Sequence, residues 1–224
     1  MIMKSNNILA FAFLFSAFLF GAAQITSAQD KQNDLKFSAK LEKDFQAGTA
    51  GDQIALVRAL QTADKILAAN PKDAETLVWR GAGGLSQAGR AFQSGNFAEG
   101  GELWQKALEN MKSAVELEPR NVSIRMLRGA ALLSAAKQFP SPDVARNLRE
   151  IAAADYEQVL TVTGEKFKTK PEKQRQQVLY SIADAYDKLG DKIKTRVFFR
   201  RIVNETSEAG KMRETAIEWL KKNN

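Results

Sequence analysis

Two arginines, each followed directly by glycine, stand 48 residues apart in this 224-residue chain, as Arg80-Gly81 and Arg128-Gly129. A guanidinium is a planar fork that grips carboxylate or phosphate through two parallel N–H donors, so such a pair can hold an anion through a glycine notch. The competing reading pairs each arginine inside the protein with a neighbouring Glu, such as Glu75, Glu116 or Glu118, where it only orients adjacent repeats. That internal pairing is the expectation here. Asp184, Asp187 and Asp191 fall at i, i+3 and i+7, one face of a helix, and three carboxylates can hold Ca²⁺ or Mg²⁺. Asp191 belongs in a turn, however, and Lys188 and Lys192 stand ready as partners, so no metal is expected. Phe198-Phe199-Arg200-Arg201 mixes aromatics with cations as nucleic-acid sites do. On a helix those rings face the core and the guanidiniums face water, and no nucleic acid is expected.

The chain contains no His and no Cys. The commonest general base, the usual zinc ligands, the Ser-His triads and thiol nucleophiles are therefore excluded together. Carboxylates such as Glu99, Glu102 and Glu109 could be offered as acid and base, but no phosphate loop, nucleophile motif or cofactor fingerprint accompanies them. The expectation is a non-enzymatic protein without a cofactor.

At the N-terminus, Lys4 is the only charge before the apolar run Ile8–Ala23, which ends in the small-residue stretch Thr26-Ser27-Ala28. This pattern predicts a secretory signal peptide over residues 1–28, cleaved after Ala28, and an exported chain, periplasmic or extracellular, over 29–224. Charge in that remainder is uneven. Residues 29–164 hold 17 basic and 17 acidic side chains, whereas residues 165–224 hold 15 and 9, so the surplus sits in the C-terminal third. A surplus of that kind suits weak contact with an anionic membrane or an acidic wall polymer, and the competing reading, an ordinary lysine-rich solvated helical surface, is the expectation.

The elements that would position these residues are helices. Asn70-Pro71-Lys72-Asp73 leads into Trp79-Arg80-Gly81-Ala82, and Glu118-Pro119-Arg120-Asn121 leads into Leu127-Arg128-Gly129-Ala130 at the same 48-residue offset. Ala59-Leu60 and Ala107-Leu108 share that offset, so whole helices recur. Apolar residues at three- and four-residue spacing give helix pairs over approximately 35–71, 73–119, 121–163 and 172–206, and a terminal helix over 210–222. Asp52 and Asp73 are predicted helix caps, and Ser141 before Pro142 a predicted start. Phe97 is placed on the apolar face of the second return helix, and Val197, Phe198, Ile202 and Val203 on that of the fourth. Residues 163–171 are predicted to be a polar spacer. Gly81, Gly83, Gly84 and Gly89 would each cost about 1 kcal/mol inside an exposed helix, which points to close helix packing.

Leu179-x-x-Ile182-Ala183-x-x-Tyr186-x-x-x-Gly190-Asp191, followed by Thr195 and Phe199, resembles a tetratricopeptide repeat. Leu77, Gly81, Ala107, Met111, Ala114 and Pro119 fit the same template, as do Gly129, Ala152, Tyr156 and Val159. The Arg-Gly signature also resembles a group of bacterial exported repeat proteins, a likeness that implies no activity. The resemblance implies an all-α fold of antiparallel helix hairpins stacked as a solenoid, with a half-polar terminal helix covering its end. It also implies a concave groove lined from the first helix of each pair. That groove would run from Val78 and Leu85, with Glu75 and Ala82, through Met126 and Leu133, with Ser123 and Ala130, to Tyr180, Asp184 and Asp187, with Gln177. Its occupant would be an extended peptide or helix of a protein partner, with an apolar face and a basic end.

Overall fold

The computed structural model describes residues 36–139, 141–207 and 209–223. The predicted signal peptide, residues 1–28, lies outside the described residues, as does Leu35. Among the described residues every regular element is a helix, and no helix is long and apolar enough to cross a membrane.

Helices begin where a polar side chain can satisfy a first-turn N–H. Asp52 accepts from the N–H of Ala55 at 3.0 Å, Asp73 from Thr76 at 2.8 Å, Asn121 from Ile124 at 3.2 Å and Asp191 from Lys194 at 2.9 Å. Ser141 stands at the expected start before Pro142, but its hydroxyl makes no capping bond. Gly190 ends a helix at φ 83°, in the left-handed region that glycine reaches without strain.

The chain divides into two compact units between Ala114 and Val115. The first contains α1 (Ala39–Thr49), α2 (Gln53–Ala69), α3 (Ala74–Gln93) and most of α4 (Phe97–Leu117). Here α1 packs on α2, and α3 packs on both. Phe45, Leu56, Ile66, Val78 and Met111 are fully enclosed, and Trp79 stacks against Phe45 with ring centres 5.8 Å apart. Three glycines let α3 take neighbours on opposite sides. A methyl group on Gly83 would meet the Phe45 ring at 2.7 Å, and one on Gly81 would meet the Ala107 carbonyl of α4 at 2.7 Å. Gly84 faces Ala107 as well, at 3.0 Å.

The second unit holds α5 (Val122–Gln138), α6 (Pro142–Thr163), a 3-10 helix (Gly164–Thr169), α7 (Glu172–Leu189), α8 (Lys192–Glu205) and α9 (Lys211–Lys222). Each consecutive pair of α-helices from α5 to α9 packs together, and α9 also reaches α7. The core gathers Tyr156 of α6, Leu179 and Ile182 of α7, Phe198, Phe199 and Ile202 of α8, and Ala216 of α9. Tyr156 lies against Gly129, where a methyl group would meet its ring at 2.8 Å. Burial pushes the Tyr156 phenol up to about 12.

Three expectations are corrected. Residues 164–169 form a helical turn and not a simple spacer, because Phe167 is buried in the core of the second unit. Phe97 is 71% exposed at the first residue of α4, and Val197 is 51% exposed on α8. Val197 directly precedes the buried Phe198, and a shift of one residue turns a helical side chain by about 100°. Phe97 shares the helical phase of the buried Val115 but stands at the first residue of α4, where its neighbours Asn96 and Ala98 are also exposed.

The α1/α2 crossing supplies a stability test. A methyl group on Gly48 would stand 2.6 Å from Leu56 Cβ and 2.7 Å from its Cα, and backbone cannot yield as a side chain can. Gly48→Ala should lower unfolding stability by about 1–2 kcal/mol despite its better helix propensity. Gly101→Ala, inside α4 with nothing within 4 Å, should raise stability by up to about 1 kcal/mol. Urea unfolding monitored by circular dichroism measures both, and equal effects would refute the packing argument.

Candidate functional site

The two Arg-Gly arginines are both engaged internally, but with partners other than the predicted glutamates. Arg80 is buried on α3, and its Nε donates to Asp64 Oδ1 of α2 at 2.7 Å. Its guanidinium passes over Gly84, where a methyl group would lie 3.4 Å from Nη1. Asp64 itself remains 54% exposed, so this pair lies at the surface end of a buried arginine stem.

Arg128 reaches in the other direction along the chain, to α6. Its Nε and Nη2 clasp Asp155 at 2.6 and 2.7 Å, while Arg125 donates to the same carboxylate from Nη1 at 2.7 Å. Arg125 is itself fixed by an Nε bond of 2.7 Å to the Pro119 carbonyl. The Asp155 side chain has no solvent exposure, and each arginine side chain keeps 15%. A carboxylate taken wholly out of water needs such charged donors, since its desolvation otherwise disfavours folding by several kcal/mol. The repeat does not extend to these partners, because the residue 48 positions before Asp155 is Ala107.

The predicted groove residues divide between core and surface. Val78 and Leu85 are 1% and 8% exposed, and Ala82 is buried with them. They fill the interior of the first unit instead of lining a groove, because α3 has α1 and α2 on one side and α4 on another. In the second unit Met126 and Leu133 of α5 and Tyr180 of α7 are all half-buried, and all three pack against the same core cluster. Ala130 and Gln177 are half-buried alongside them, as is Asp184. α5 and α7 thus each keep half-buried apolar residues against one core, and α7 adds the half-buried Asp184 carboxylate.

Two of the predicted α7 residues also serve α9. Tyr180 hydrogen-bonds Thr215, and its ring meets Phe199 at 6.0 Å. Burial raises the Tyr180 pKa, and the Asp184 and Asp187 carboxylates raise it further. Asp187 accepts from the Trp219 indole N–H at 2.8 Å and from Lys192 Nζ at 2.9 Å. It is thus a docking point for α9 and not a free groove residue, a correction to its predicted role. Asp191, the third carboxylate of the aspartate series, spends an oxygen capping α8. The bonds of Asp187 and Asp191 explain the spacing without a metal. Neither the burial of Phe167 nor the Arg125–Asp155 contact follows from the sequence reading; the i, i+3 spacing of Arg125 and Arg128 is the signal that points to the latter.

No protein-family model matches the chain, and no curated protein matches it.

Two outcomes test these assignments. Asp155→Ala leaves two guanidiniums facing each other without their carboxylate and should destabilise the protein by about 3 kcal/mol. Asp64→Ala, which removes a half-exposed partner that water can replace at one side of the buried Arg80, should cost less, about 1–2 kcal/mol. Comparable losses in chemical denaturation would show that burial does not govern these pairs. The second outcome concerns pH. Burial by itself would raise the Asp187 pKa, but the hydrogen bonds from Lys192 and Trp219 and the nearby lysine charges hold it below its ordinary 3.8. Its contribution to folding is therefore complete above the ordinary carboxylate range and is lost as pH falls through the lowered value. The Trp219 indole N–H resonance should shift in acid in the native protein, and Asp187→Asn should abolish that step.

Proposed function

We propose that this chain is a non-enzymatic scaffold of the cell envelope that binds a peptide or helical segment of a protein partner. In this reading it is exported after removal of residues 1–28, and its helix pairs form a solenoid of tetratricopeptide type. The observation that carries the proposal is the α5/α7 face. Met126, Leu133 and Tyr180 come from two helices, border one rigid core and keep part of their apolar surface in solvent. A preformed apolar face beside a carboxylate suits an amphipathic segment with a basic residue, since little conformational freedom is lost on its side of the contact.

Helix pairs joined by short turns and small residues at helix crossings also support the repeat reading. The absence of His and Cys from the sequence weighs against most hydrolytic and metal-dependent chemistry.

The test is capture from envelope extract by residues 29–224, at low and at high salt, beside the variant Met126→Ser, Asp184→Asn. These two residues are preferred to Tyr180 and Asp187, whose bonds to α9 would confound folding with binding. The expected result is a discrete partner retained at high salt and weakened about tenfold by the double variant, the loss equivalent to about 1.4 kcal/mol. Capture that ignores the variant, while circular dichroism remains unchanged, would overturn the proposal.

A further inference from the structure

Helix α8 turns a stripe with two large aliphatic residues to solvent. Ile193 is 77% exposed and Val197 51%, and Arg200 and Asn204 are exposed in line with them. At 3.6 residues per turn these four positions fall within about 60° of one another on the helix. The opposite face carries the buried Thr195, Phe198, Phe199 and Ile202, so the stripe is the outer side of a firmly packed helix. Isolated exposed aliphatics are ordinary, but two in register on a helix this basic are a defined surface.

The charge on α8 itself is almost all positive. Lys192, Lys194, Arg196, Arg200 and Arg201 lie on α8, against Glu205 as its one acid. Three of these cations already face an acid: Lys192 pairs with Asp187, Lys194 with Glu157 and Arg201 with Glu205. Arg196 donates from Nη2 to the Asn223 carbonyl, which brings the end of α9, with the exposed Lys221 and Lys222, beside α8. Asp191 caps the helix and Glu218 is exposed on α9. Arg200 makes no ion pair among the described residues. The three ion pairs are solvent-accessible, and such pairs are weak enough for their cations to exchange onto another anion.

We propose that the outer face of α8 docks on an anionic lipid bilayer, with Ile193 and Val197 entering the headgroup boundary and the flanking cations meeting lipid phosphates. Charge complementarity selects an anionic surface. The aliphatic pair selects a bilayer over a hydrophilic polyanion, because only the bilayer gives those side chains an apolar phase to enter. This face is separate from the α5/α7 residues assigned to partner binding, and the inference does not depend on that assignment.

The experiment uses residues 29–224, since the apolar run Ile8–Ala23 would itself partition into lipid, and α1 to α9 all lie within that span. Co-sedimentation is measured with phosphatidylcholine vesicles, and with vesicles that also contain phosphatidylglycerol, at low and high salt. Binding is expected only with phosphatidylglycerol and should weaken at high salt, as exposed charge is screened. Ile193→Ser with Val197→Ser should weaken it about tenfold without changing charge, and Arg200→Glu should weaken it through charge alone. All three side chains are exposed, so helix content and unfolding midpoint should be unchanged in these variants. Failure to bind anionic vesicles overturns the proposal. So does binding that the Ile193→Ser, Val197→Ser variant retains in full, which would mark a purely electrostatic contact such as a polyanion makes.

Discussion

Helices in both units can approach closely only because small residues stand where they cross. At Gly48 the neighbour is the backbone of Leu56, at Gly81 it is the Ala107 carbonyl, and at Gly129 it is the Tyr156 ring. Each glycine sacrifices about 1 kcal/mol of helix propensity relative to alanine, so the benefit must come from the contacts that the missing methyl permits. The consequence is greatest for α3, which is buried along most of its length from Ala74 to Leu85. A helix enclosed to that extent supplies core to its neighbours and has little face left for a partner. In the second unit, Met126 and Leu133 of α5 and Tyr180 of α7 keep part of their surface in solvent.

Close approach also dictates where charge can be placed. Arg80 and Arg128 sit one residue before glycines at helix crossings, and neither can leave its long stem in water. Each stem runs along a neighbouring helix and finds a carboxylate there, Asp64 in one case and Asp155 in the other. The environments differ greatly. Asp64 remains largely solvated, whereas Asp155 is sealed and requires two guanidiniums to satisfy it. A sealed ion cluster of this kind contributes little net stability compared with apolar packing, but it tolerates few alternative arrangements. It therefore sets the register of α5 on α6 more than it strengthens their contact.

Helix content, turns and caps are legible in the sequence because they depend on local spacing. Asp52, Asp73 and Asp191 cap the helices that follow them, and the turns at Asn70-Pro71 and Gly190-Asp191 separate elements as their chemistry requires. What lies beyond reach is tertiary. Val78 and Leu85 have the same helical phase as Met126 and Leu133, one 48-residue offset earlier, yet the first two are enclosed and the second two are half-exposed. The difference comes from what packs on each helix, which periodicity cannot express. The arginine partners escape the sequence for the same reason: the glutamates are near along the chain, whereas the aspartates that bind are near in space and belong to other helices. Phe97 and Val197 show the remaining limit: Phe97 shares the phase of the buried Val115 but stands at the first residue of its helix, and Val197 lies on the outer side of α8, so apolar character alone does not decide burial.

The C-terminal helix connects packing with surface chemistry. α9 contributes little core of its own, with Ala216 as its one fully buried residue among those described, and it is held largely by polar contacts. Trp219 donates to Asp187, Tyr180 bonds Thr215, and Arg213 reaches the carbonyls of Thr206 and Val203 at the end of α8. Those last carbonyls have no helical partner, so the arginine both satisfies them and opposes the negative end of the helix dipole. Arg175 adds a bond from α7 to the Glu205 carbonyl at 2.7 Å. The end of α8 is thereby tied to α7 and α9 while its outer stripe is left uncovered. A helix so anchored can present Ile193 and Val197 without rotating them inward, which makes their exposure a property of the packing and not of a loose end.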